Sequence, residues 1–152
     1  MLDQTVAPKE IIVADDGSKQ ETVDLIKRFQ QSYPQSNIIH SWQEDRGFRL
    51  SMSRNKAINK ATGEYIIIID GDLMLNRHFV EDHIKNKKRG CFIQGSRVIT
   101  SAFAAKEIME GEKINLFSKG LRNNINMVRS KILSKVFTKV DRSLRGIRAC
   151  NM

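Results

Sequence analysis

The chain has 152 residues, 40% hydrophobic and 28% charged, with two prolines and nine glycines. That is enough for one folded domain with a sizeable core, and it argues against a disordered or collagen-like chain. Two cysteines without CxxC spacing exclude a disulfide scaffold and a cysteine-based zinc site, and the longest apolar run is far too short to span a bilayer.

Glu10–Ala14 reads as a buried strand, a β-branched run bounded by Pro8 and by Asp15-Asp16-Gly17-Ser18. Ser18 is expected to cap the next helix, with Glu21 completing a capping box. Val23, Ile26 and Phe29 give that helix an apolar face, and it stops before Pro34. A second strand is expected over Asn37–Trp42, then a loop at Asp45-Arg46-Gly47-Phe48, then a helix over Ser51–Ala61 with Gly63 in a left-handed position beyond it. Tyr65–Ile69 reads as a strand buried on both faces. Arg77–Lys87 reads as a helix and Cys91–Thr100 as a strand. Strands alternating with helices predict a parallel sheet covered by helices, with ligands beyond the carboxyl ends of its strands. Asp15-Asp16 and Asp70-Gly71-Asp72 both fall at such ends.

From Ala102 the character changes to a basic, helical stretch, with Phe117, Leu121, Ile125, Val128, Ile132, Val136 and Val140 recurring at helical spacing. Residues 113–148 hold ten bases and one acid (Asp141), so the whole net charge of +9 sits there. Such a segment suits an anionic membrane surface or a phosphorylated glycolipid, or else a helix packed on the sheet with its lysines in water. Aromatic residues do not interleave with the bases, which argues against nucleic acid.

Two aspartates separated by one glycine can both reach a divalent cation. Their hard oxygens suit magnesium or manganese, which in turn neutralises a diphosphate leaving group. Taken alone, Asp70-Gly71-Asp72 is equally a polar turn. Asp15 and Asp16 suit a ribose hydroxyl or a base N–H, or merely a turn. Arg54 suits a phosphate or a base, or simply solvent. His40, His78, His83, Trp42 and Phe48 are read as structural. No phosphate-binding glycine loop is present.

In order and at these spacings, Leu2-Asp3-Gln4-Thr5, Pro8–Ser18, Arg54-Asn55-Lys56-Ala57-Ile58, Ala61–Ile66 and Asp70-Gly71-Asp72 resemble glycosyltransferase family 2. Trp42–Leu50 further resembles the branch with bacterial chondroitin-type polymerases and capsule or lipopolysaccharide transferases. The resemblance implies an α/β GT-A fold with a mostly parallel sheet, and inverting transfer from a nucleotide-diphosphate sugar, commonly a uridine one, to a glycan or glycolipid acceptor. It implies that Asp16 contacts the nucleoside with Asp15 nearby, that Arg54 holds the base or diphosphate, that Asp70 faces the donor ribose or sugar, and that Asp72, with Asp70, binds Mn2+ or Mg2+. Donor binding is then expected in residues 1–101. Residues 102–152 are expected to be a basic helical segment leading into an acceptor half.

Family members open with a strand and a Pro-Thr-Tyr-Asn-like loop, and carry a later Gly-Trp-Gly-x-Glu-Asp-like acceptor motif with the catalytic base. The chain is therefore expected to be truncated at both ends, with its general base beyond Met152, and inactive alone. The absence of a leader pattern after Met1 and the free cysteines suggest a cytoplasmic setting, with peripheral contact at the inner face of the plasma membrane. Two other readings fit less of the pattern: a metal-dependent nucleotidyltransferase, and a non-enzymatic basic module for membrane surfaces or anions.

Overall fold

A computed structural model describes residues 1–111 and 117–123. The described residues fall into two compact units, Met1–Cys91 and a second beginning at Phe92.

The first unit is built on a βαβ element. Strand β1 (Ile11–Asp15) and strand β2 (Ile38–Trp42) pair in parallel from Ile11↔Ile38 to Asp15↔Trp42, with helix α1 (Gln20–Ser32) between them in sequence. Parallel strands require a crossover of this kind, because a tight turn cannot return the chain in the same direction. Ile26 is the buried contact of α1, and Phe29 stacks on Tyr33 one turn later. Helix α2 (Leu50–Lys60) buries Ser53 and Ala57 and packs against both strands. The residues just past its end are fastened to Glu10, which precedes β1. One carboxylate oxygen of Glu10 accepts from the Thr62 amide at 2.7 Å, the Gly63 amide at 2.9 Å and the Thr62 hydroxyl at 3.2 Å.

Helix α3 (Phe79–Asn86) buries Val80. No side chain of its own caps it, and the amino-terminal segment does so from a distance of more than seventy residues. Gln4 Oε1 accepts from the Val80 amide at 3.0 Å, the Thr5 amide donates to the Arg77 carbonyl at 2.8 Å, and the Thr5 hydroxyl donates to Glu81 at 3.1 Å. A helix start leaves four amides unpaired, so a borrowed acceptor is a stabilising tie. Glu81 also binds Lys85 and His78, and these partners hold its carboxyl down at about 2. The Tyr65 hydroxyl lies 3.0 Å from His83 Nδ1, which links α3 to the segment after α2. Burial lowers the His83 pKa and raises that of Tyr65.

The second unit holds strand β3 (Ile99–Thr100), helix α4 (Ala102–Met109) and strand β4 (Leu121–Arg122), and β3 and β4 pair antiparallel. The Ser101 hydroxyl caps α4 by accepting from the Ala104 amide at 3.2 Å, and Ala104 is fully buried.

Several expected elements differ. Tyr65–Ile69 is not a strand, and Ile66 and Ile68 are 45% and 55% exposed. Among the described residues no strand lies beside it, and without ladder hydrogen bonds an apolar run has nothing to hold it in a sheet. The strand expected over Cys91–Thr100 is reduced to its last two residues. Ser18 does not cap α1. Lys19 occupies that position, and the Ser18 amide is drawn instead to Asp15. Gly63 is not left-handed, because its amide turns to Glu10. The helix begun at Ala102 ends before Gly111, and Leu121 lies in a strand rather than on a helical stripe. The rest of the basic stretch, 113–116 and 124–148, lies outside the described residues.

Candidate functional site

Both aspartates that end β1 are held in place, each by different partners. Asp15 is 4% exposed. Its Oδ1 accepts from the Ser18 amide and its Oδ2 meets His40 Nε2, both at 2.8 Å. Burial pushes this carboxyl up, but the Ser18 amide and His40 outweigh it, and the net shift is downward. Asp15 is thus the internal fastening of the turn. Gly17 completes that turn at φ +96, and a Cβ there would stand 2.5 Å from the Asp45 backbone.

Asp16 is half-buried and faces the other way, toward the start of α2. Its Oδ1 accepts from Gln43 Nε2 at 2.6 Å and its Oδ2 from the Arg49 amide at 2.7 Å. Arg49 is the N-cap residue of α2 and makes no cap with its own side chain. The carboxylate therefore satisfies an amide that opens the helix, where the helix dipole also favours negative charge. Between Ser41 and Ser53, four buried side-chain atoms have no hydrogen-bond partner among the described residues: Ser41 Oγ, Gln43 Oε1, Arg49 Nε and Ser53 Oγ. An orphaned buried polar group costs about 1–3 kcal/mol, and two of the four, Gln43 Oε1 and Arg49 Nε, belong to the residues that hold Asp16.

Five residues beyond Arg49, about 7.5 Å along a helix axis, Arg54 extends a guanidinium whose Nη2 lies 2.8 Å from Asp70 Oδ1. The Arg54 side chain is 18% exposed and Asp70 43%, so the pair contributes about 1 kcal/mol or less to stability. Its consequence is positional, since it ties the start of the Asp70-Gly71-Asp72 segment to α2. Asp72 is exposed and makes no hydrogen bond or ion pair among the described residues. Open space surrounds Gly71.

Helix α2 therefore gathers three of the expected residues: Asp16 through the Arg49 amide, Arg54 directly, and Asp70 through Arg54. Asp15 is turned to a structural task, and Asp72 stands outside the hydrogen-bond network. No three His, Cys, Asp or Glu side chains converge among the described residues. Asp70 and Asp72 offer at most two carboxylate ligands. That suits a cation such as Mg2+ or Mn2+, which keeps waters and takes substrate phosphate oxygens for its other positions. Gln43 and Arg49 are not among the residues singled out in the sequence, while His40, read there as structural, is the partner that fastens Asp15. Gln43 and Asp16 follow directly on the last β1–β2 pair, so they meet only because the strands run parallel in this register.

A profile of the family described as "Glycosyl transferase family 2" matches residues 1–135. Among similar proteins, an uncharacterized glycosyltransferase, YibD, of Escherichia coli K12 is 35% identical over 72 residues, 47% of this chain and 20% of that protein. The chondroitin synthase of Escherichia coli is 32% identical over 82 residues, 54% of this chain and 12% of the synthase. A cholesterol galactosyltransferase of Borreliella burgdorferi is 38% identical over 71 residues, 47% of this chain and 19% of that enzyme. The chain thus spans a fifth or less of these relatives' lengths. No solved structure matches it.

Proposed function

The chain belongs to glycosyl transferase family 2, with the α/β fold of the GT-A type, and from that premise we propose that its first unit holds the nucleotide diphosphate of a sugar donor for an inverting transferase. The reading rests on one observation: a single helix, α2, binds Asp16 at its first amide and Asp70 through Arg54.

In this reading Asp16 presents its remaining lone pairs to the nucleoside, and Gly17 allows the turn that places it there. Asp15 acts behind it, as the fastening to Ser18 and His40. Arg54 is the cation for the base or diphosphate, and its planar fork suits a phosphate as well as it suits Asp70. Asp70 is shared between Arg54 and the donor ribose or sugar. Asp70 and Asp72 would hold the divalent cation, manganese or magnesium. When bound, that ion neutralises charge on the departing diphosphate. An acceptor hydroxyl then displaces the diphosphate at the anomeric carbon, with its proton taken by a general base.

The proposed donor is a uridine-diphosphate hexose or N-acetylhexosamine, and the proposed acceptor a glycan or glycolipid in polysaccharide or lipopolysaccharide synthesis. Relatives named chondroitin synthase and cholesterol galactosyltransferase support an acceptor of this class. The basic residues between 113 and 148 are proposed to approach such an acceptor at an anionic membrane surface. Among the described residues no helix is long and apolar enough to cross a membrane.

Calorimetric titration of the chain with uridine- and guanosine-diphosphate sugars, with and without manganese, tests the reading. Binding of the uridine compounds, strengthened by manganese, is expected. Failure to bind any nucleotide-diphosphate sugar under either condition would refute it.

A further inference from the structure

We infer that Gln43 is the positioning residue for Asp16, and through Asp16 sets how firmly the nucleoside half of the donor is held. The inference rests on the nucleotide-sugar reading above and goes beyond it, because Gln43 belongs to none of the expected site residues.

The geometry is specific. Gln43 is 5% exposed, and its side-chain amide nitrogen has two acceptors before it: Asp16 Oδ1 at 2.6 Å and the Arg49 carbonyl at 3.5 Å. Both neighbours accept, so the amide cannot turn over without setting oxygen against oxygen. Its carbonyl oxygen, by contrast, is buried with no partner among the described residues. A glutamine placed for packing or stability would have both ends satisfied, or would be apolar. This one keeps the end that meets Asp16 and leaves the other unmet. The Gln43 amide in turn donates to the Asp15 carbonyl at 3.1 Å, so its backbone extends the sheet and its side chain cannot drift. Together with the Arg49 amide, Gln43 occupies one site on each Asp16 oxygen and fixes the carboxylate plane. A carboxylate has about four acceptor sites, so the remainder stay open to a ligand. The diphosphate end of the donor is served by Arg54 and Asp70, neither of which Gln43 touches.

The test separates the two halves of the ligand. The whole chain and its Gln43→Met and Gln43→Glu variants are titrated with uridine diphosphate and with inorganic pyrophosphate, each in manganese. Thermal unfolding midpoints are read alongside. Methionine matches the length of glutamine without the donor. Glutamate matches its shape but sets an oxygen against Asp16. We expect uridine diphosphate affinity to fall roughly tenfold or more in both variants, the loss of one charge-assisted hydrogen bond at the recognising carboxylate. Pyrophosphate affinity is expected to stay within about twofold of wild type. Unchanged uridine diphosphate affinity in both variants, with the wild type binding, overturns the role of Gln43 and leaves the nucleotide-sugar reading intact. Equal losses for both ligands with lowered midpoints also overturn it, since Gln43 would then serve only packing. Absence of any uridine diphosphate binding by the wild type removes the inference and the reading beneath it together.

Discussion

Two adjacent aspartates show how much a single peptide unit decides. Asp15 and Asp16 are chemically alike, yet one is fastened inward to Ser18 and His40 and the other is offered to α2. The turn that follows them depends on Gly17. An alanine there would have to adopt φ +96 and set its Cβ 2.5 Å from Asp45 backbone, so Gly17→Ala should destabilise the chain by roughly 2 kcal/mol or more, read by urea unfolding. Arg54 is legible by its spacing, but its task is carried by geometry. Arg54→Lys keeps the charge and loses the fork, and should weaken uridine-diphosphate-sugar binding by roughly tenfold in calorimetry. Asp72 makes no hydrogen bond or ion pair among the described residues, so Asp72→Asn should leave the unfolding midpoint unchanged while removing the manganese-dependent part of that binding. A lowered midpoint would argue against a ligand role.

At the scale of elements, both α2 and α3 are capped from elsewhere in the chain. Asp16 serves α2, and Gln4 with Thr5 serves α3. Neither tie shows in the local sequence, and the same holds for α1, where Ser18, a good capping residue by type, gives its amide to Asp15 instead of capping the helix. The α3 tie carries a pH signature. Glu81 is held at about 2 against an ordinary value near 4.5, first by Lys85 and then by His78 and Thr5. A carboxyl lowered in the fold stabilises above its unfolded value and loses that contribution as pH falls. Stability should therefore decline from about pH 4.5 toward pH 2, and Glu81→Gln should flatten this part of the profile. His83 has the reverse chemistry. Burial lowers its pKa below the ordinary 6.5, so the fold favours its neutral form, and stability should fall as pH drops below 6.5. In thermal unfolding followed against pH, His83→Gln should remove that step.

For the whole molecule, charge and core tell different stories. Among the described residues the buried apolar side chains are Ile26, Ala57, Val80 and Ala104, while Phe48, Met74, Met109 and Phe117 are each more than three-quarters exposed. The net charge of +9 lies wholly between residues 113 and 148. If those bases meet an anionic surface, sedimentation with phosphatidylserine vesicles should be strong in low salt and largely lost near 1 M, where the screening length is only about 3 Å. Binding indifferent to salt would contradict an electrostatic attachment.

The sequence by itself determined the family, the βαβ start, the position of α2 and α3, and the order of Asp16, Arg54 and Asp70, because periodicity, turn chemistry and motif spacing are local properties of the chain. Tertiary structure alone decided that Asp15 turns inward, that Gln43 and Arg49 grip Asp16, and that Gln4 and Thr5 hold α3. Each of these contacts joins residues brought together by strand register or helix packing. It also decided that Tyr65–Ile69 forms no strand, since an apolar run becomes a strand only when a neighbour accepts its backbone hydrogen bonds.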